Sequence, residues 1–253
     1  MTRAAIVFVL FVLVQIIGSA VALLCGNADH IGQGTPLMEM PVRPEAAGVS
    51  LLVFETLLTA GLVWYYRWAD PPRRKAAPTG LQLLVAAGGT AVLSVGLSLL
   101  LQPLALDDRG ATLLFEGMRH NVLCLALLCL VGPVCEELVF RRGVLQGLIA
   151  GGWSVRWALP VSAAAFALVH GNLGQMIPAF LIGLLLGWCY LRTGRLRLSV
   201  AAHVANNTLG VVLMSVPQAE ALTANWGTEA CIAAGLPLAA AGTVLVLRSL
   251  KRA

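Results

Sequence analysis

Residues 121–149 read NVLCLALLCLVGPVCEELVFRRGVLQGLI, and this stretch decides the architecture. It is long and apolar enough to cross a bilayer. Yet it carries two adjacent glutamates, Glu136 and Glu137, followed by Arg141. Ionisable groups at bilayer depth are costly, so they mark function. Two later apolar segments hold His170 and His203. Acids and imidazoles drawn from separate spans point to a buried polar site, and an intramembrane enzyme is the first reading.

Composition sets the surroundings. Hydrophobic residues make up 58% of the 253-residue chain and charged residues 11%, where a soluble domain is about a quarter charged. Mean hydropathy is +0.85. The net charge of +5 comes from basic residues scattered over short loops. Nucleic-acid binding, which needs a basic face, is excluded as a reading. The six cysteines form no CxxC pair and read as small hydrophobes.

Outward from residues 121–149, apolar segments lie at about 4–24, 47–66, 80–104, 120–149, 157–171, 175–191, 197–216 and 229–247. The expected fold is all-α: a polytopic helical membrane protein with about eight transmembrane helices around a buried polar site. Residues 1–253 form a single integral membrane domain. Its chemistry is concentrated at about 120–210, and the lipid bilayer is its first partner.

Basic residues orient the spans. With the N-terminus inside, Arg3, Arg67, Arg73, Arg74, Lys75, Arg141, Arg142, Arg156, Arg192, Arg195, Arg197, Arg248, Lys251 and Arg252 fall on the cytoplasmic side. Arg43, Arg109 and Arg119 fall outside. The positive-inside bias then predicts both termini in the cytoplasm. Asp29, Glu39, Glu45, Asp107, Asp108, Glu116, Glu220 and Glu229 lie in the outer loops. The six tryptophans fall near segment ends, as interfacial aromatics do. Arg3, the apolar run and Ala20-Val21-Ala22 resemble a signal peptide. The run to Leu24 is long enough to span, so the segment is expected to stay.

Three places carry chemistry. In Glu136-Glu137-Leu138-Val139-Phe140-Arg141, a helix sets Glu137 and Arg141 one turn apart, where they can pair. Glu136 lies about 100° around that helix and faces something else. A buried carboxyl without a cation is the kind of group that serves as general base or acid near neutral pH. The alternative is a structural pair, with Arg141 reaching for the inner surface. The second place is Phe166-Ala167-Leu168-Val169-His170. Taken alone, a histidine near a helix end is ordinarily interfacial. The third is His203-Val204-Ala205-Asn206-Asn207, where His203 and Asn207 share a helix face. Ser199 and Thr208 are nearby, but neither GxSxG nor HExxH occurs. His30 and His120 fall in or beside outer loops.

The order EExxxR, FxxxH, HxxxN on successive membrane segments resembles the CPBP family of intramembrane proteases, which includes the CAAX prenyl endopeptidases and many bacterial relatives. The resemblance covers residues 120–210, with every signature position filled. The doubled Arg141-Arg142 is a local departure. The resemblance implies that Glu136 with His170 activates a water and that His203 with Asn207 stabilises the oxyanion. Glu137 and Arg141 would tune Glu136, and Phe166 would pack beside the site. It also implies a membrane-associated protein or peptide as substrate and, for a bacterial relative, the inner (cell) membrane. No cofactor is the favoured expectation. If the site were metal-dependent, Glu136, His170 and His203 would supply three zinc ligands and leave an open position.

Other functions stay open. Some relatives act in bacteriocin self-immunity or as scaffolds, so a non-catalytic membrane protein of the same fold is the alternative. A proton-coupled transporter could also use buried Glu and His, but it would show paired broken helices in corresponding halves. Depth gives one tension. Glu136 counts to ~24 Å from the outer start of its segment and His203 to ~9 Å from the inner start of its own. His170 falls at the far end of a short segment.

Overall fold

The computed structural model describes residues 2–31, 33, 36, 39–68, 77–216 and 221–250. Arg73, Arg74, Lys75, Lys251, Arg252 and Glu220, which entered the topology above, lie outside the described residues. Within them all regular structure is helical, with no strand. The helices are α1 (Arg3–Gly26), α2 (Ala28–Ile31), α3 (Pro44–Tyr66), α4 (Gly80–Leu101) and α5 (Ala111–Met118). They continue with α6 (Val122–Ala150), α7 (Val155–Leu168), α8 (Leu173–Thr193), α9 (Leu196–Met214) and α10 (Thr228–Leu250).

Local sequence explains where several begin. Thr79 and Gln82 form a reciprocal capping box at the start of α4. Asn121 accepts from the backbone of Leu123 and Cys124 at the start of α6. Asn172 accepts from Gln175 N at the start of α8, which ends on Gly194 at φ 67°. Each cap satisfies backbone groups that the first or last helical turn leaves open.

The eight apolar segments correspond to α1, α3, α4 and α6 to α10, but only six of these helices are long and apolar enough to cross a membrane. The other two, α7 and α9, fall outside that description. Helix α7 has 14 residues, about 21 Å of rise against a hydrocarbon core of about 30 Å. Helix α9 has 19 residues, but Arg197, His203, Asn206, Asn207 and Thr208 dilute its apolar character. The chain is an integral membrane protein with two helices that differ in kind from the rest, and both carry site residues.

Two cores flank the site. One joins Val7 and Phe11 of α1, Phe140 and Leu145 of α6, Phe166 of α7 and Tyr190 of α8. The other joins Leu93 and Leu97 of α4, Leu186 of α8, Leu198 of α9 and Val246 of α10. Helices α4 and α10 approach each other closely along their backbones. A Cβ at Gly96 would lie 2.8 Å from Gly235 O, and one at Gly89 would lie 2.9 Å from Gly242 O. Both pairs are two turns apart on antiparallel helices, so glycine at these positions lets the backbones meet.

Helix α6 is not a uniform α-helix. It widens to π geometry over Leu127–Val131 and again over Leu138–Leu145. The first widening has a cause in the sequence. Pro133 has no N–H and its ring crowds the carbonyl four residues back, so the preceding turn opens and Gly132 N donates five residues back, to Leu127 O. Neighbouring side chains then serve carbonyls of the widened turns. Asn207 Nδ2 donates to Leu128 O at 3.0 Å, and Ser162 Oγ donates to Phe140 O at 3.1 Å. Such π segments concentrate at functional sites.

Candidate active site

Glu137 is completely buried, and both its oxygens are engaged. Oε2 accepts from Arg141 Nε at 3.0 Å, and Oε1 accepts from His203 Nδ1 at 3.1 Å. The Arg141 side chain is 1% exposed, and its guanidinium lies over the Phe166 ring at 5.2 Å. Arg141 therefore does not reach the protein surface. Arg141 and Arg142 are both buried, within helix α6 rather than in a loop. Of the described basic residues assigned to the cytoplasmic side from the sequence, Arg3, Arg67, Arg156, Arg192, Arg195, Arg197 and Arg248 are not buried.

Glu136 differs from its neighbour. Its Oε2 lies 3.4 Å from His203 Nε2, and its side chain is 19% exposed. Its Oε1 has no partner among the described residues. His203 thus sits between two carboxyls. Nδ1 meets an acceptor and must carry a proton, which leaves Nε2 facing Glu136. The Glu137 carboxylate is balanced by the Arg141 guanidinium. Buried charges persist only when balanced in this way.

The ring of Phe166 organises the site. Its centroid lies 5.1 Å from that of His170, 5.5 Å from that of His203 and 5.2 Å from that of Phe140, all edge-on. His170 Nδ1 is 2.9 Å from Phe166 O. A carbonyl only accepts, so Nδ1 donates and Nε2 keeps a free lone pair. Among the described residues His170 pairs with no carboxyl, and the structure brings Glu136 to His203 instead. Helix α7 is short, with 14 residues. It ends within reach of the site, and the chain turns at Gly171, φ 73°, straight into α8. Asn207, one turn beyond His203, accepts from Asn206 Nδ2 at 3.0 Å while it donates to Leu128.

Glu55 in α3 was not anticipated. It is 5% exposed. Gln15 Nε2 of α1 donates to its Oε1, while its Oε2 is buried without a partner among the described residues. Helix α3 packs against the Gly132–Glu137 turn of α6, so this acid stands behind the site. The signal was present: an ionisable residue inside the apolar run 47–66 obeys the rule that singled out Glu136.

As a metal site the donors do not converge. No group of three or more His, Cys, Asp or Glu side chains is placed to hold an ion among the described residues. What the arrangement offers is one free carboxyl oxygen, one free imidazole lone pair and a set of fixed N–H donors.

Residues 118–209 match the family described as type II CAAX prenyl endopeptidase, Rce1-like. All three motifs lie within that segment, and the family expected from them is the one that matches. The candidate membrane peptidase YdiL of Bacillus subtilis (strain 168) is 24% identical over 111 residues, which is 44% of this chain and 45% of YdiL. The match thus spans less than half the length of that relative. An uncharacterized 24.3 kDa protein of Escherichia coli is 28% identical over 190 residues, 70% of this chain and 87% of that protein. No solved structure matches the chain.

Proposed function

We propose that this chain is an intramembrane endopeptidase that hydrolyses a peptide bond in a membrane-associated protein or peptide. The observation that carries the reading is the free Oε1 of the partly exposed Glu136, set beside His203 within a segment that matches a peptidase family. Glu137, wholly engaged, is unsuited to be the base. Glu136 Oε1 takes a proton from water as the water oxygen attacks the peptide carbonyl carbon. His170 Nε2 accepts the second water hydrogen and orients the attack. His203 and the Asn207 amide face the charge that develops on the carbonyl oxygen. Collapse breaks the C–N bond, and Glu136 returns its proton to the leaving amine. Glu137, paired with Arg141, orients the His203 ring through Nδ1, so that His203 meets the oxyanion through Nε2 in its protonated form, and Phe166 sets the spacing of the two imidazoles. The test compares the termini of membrane proteins in wild-type cells with those in cells carrying Glu136→Gln. Identical termini in the two would overturn the reading.

The mechanism uses no metal. Activity of the purified protein is expected to survive a strong chelator, without stoichiometric zinc. About one zinc per active chain, lost together with activity in His203→Ala, would overturn the metal-free mechanism.

The orientation is part of the same proposal: a bacterial cell membrane with both termini cytoplasmic. A reporter placed after Ala253 should be cytoplasmic, and a tag in the 107–119 loop should be accessible from outside. An external C-terminal reporter would require an odd number of crossings and sink this topology.

A further inference from the structure

The Asn207 side chain has a direction imposed on it from α6. Leu128 O has lost both donors a helix could offer it: Gly132 N goes to Leu127 O, and Pro133 has no N–H. A carbonyl only accepts, so the Asn207 atom facing it must be Nδ2. Oδ1 of Asn207 therefore faces Asn206 and must accept, which makes Asn206 present its own Nδ2. Oδ1 of Asn206 then faces α4, where the Ser94 hydroxyl donates to it. Amide orientations are ordinarily ambiguous, but a chain anchored on a pure acceptor has only one consistent assignment. Ser94 is additionally within reach of Thr90 O at 2.9 Å, so its single proton is shared between two acceptors. The consequence falls on Asn207: one Nδ2 proton is spent on Leu128, and the second has no partner among the described residues.

We infer that Asn206 and Ser94 are positioning residues, which lock the Asn207 amide so that its second Nδ2 proton is presented to the reacting carbonyl. The use of that proton rests on the peptidase reading; the lock itself does not. Neither Asn206 nor Ser94 touches substrate. They act by preventing the Asn207 amide from turning over, which would replace a donor by an acceptor at the developing oxyanion and remove the stabilisation it provides.

Two measurements separate the lock from its use. The first is side-chain NH2 exchange in full-length protein labelled with 15N-asparagine in detergent, with the Asn207 pair assigned by its loss in Asn207→Ala. Asn206→Leu should speed exchange of that pair about tenfold. Ser94→Ala, a milder change, should shift the Asn206 pair and affect Asn207 less, while Ser94→Thr should restore the wild-type spectrum. An Asn207 pair unchanged in Asn206→Leu and in Ser94→Ala overturns the lock. The second is cleavage of fluorescein-labelled casein as probe. One lost oxyanion donor costs 10²–10³ in kcat, so partial misalignment in Asn206→Leu should lower kcat at least about tenfold with KM within about twofold. A raised KM at unchanged kcat overturns the positioning role. Residual cleavage by Glu136→Gln at the wild-type rate, with the exchange results as expected, counts against the peptidase mechanism and leaves the lock standing.

Discussion

Glu136→Gln in the purified protein is expected to lower kcat by about 10²–10⁴, the usual contribution of a positioned general base. The substitution keeps shape and volume, and the amide still reaches His203, so membrane insertion and folding should be unchanged. What is lost is the free oxygen that takes the proton from water. The same chemistry predicts that wild-type activity falls as the solution is acidified and Glu136 binds a proton, because a protonated carboxyl cannot act as base. Near-wild-type turnover by Glu136→Gln would remove Glu136 from the mechanism. Its neighbour Glu137 could not replace it, since both of its oxygens are already hydrogen-bonded.

Glu137→Leu should be the most destabilising of these substitutions. It leaves the fully buried Arg141 guanidinium facing no carboxylate, and breaking a buried pair by removing one partner costs about 3–5 kcal/mol. The Phe166 face gives the cation some compensation, on the order of 1–2 kcal/mol when desolvated. It cannot replace an ion. His203 would also lose the acceptor that orients its ring. The expected result is a markedly lower thermal midpoint in detergent, together with loss of activity. Glu137→Leu combined with Arg141→Met should recover much of the stability, because no uncompensated charge then remains, without recovering activity. A single Glu137→Leu variant as stable as wild type would show that the pair does not hold the helix.

The helices were legible because each apolar run is long, and a backbone in lipid must satisfy its own hydrogen bonds. The residue types of the site were legible for a related reason: Glu136, Glu137, His170 and His203 are conspicuous where their burial is costly. Glu55 obeyed the same rule but lacked a companion in the local sequence, so it passed unnoticed. The eight apolar runs did not distinguish the six helices long and apolar enough to span from the short α7 and the polar α9. Arg141 was counted among loop charges because a linear count cannot distinguish an arginine at an interface from one folded under a phenylalanine.

The chain by itself determined an all-helical membrane protein and the three motifs that place residues 118–209 in an Rce1-like segment. Apolar run length and costly polar exceptions are properties of one strand of sequence read alone. Which imidazole meets which carboxyl was decided only in three dimensions. Two widened turns in α6 break the 100°-per-residue arithmetic on which helical-face reasoning depends. His203 lies 66 residues from the glutamate it holds. Asn207 owes its orientation to a carbonyl 79 residues away, orphaned by Pro133. Such pairings depend on which helices pack together, and no local periodicity records that.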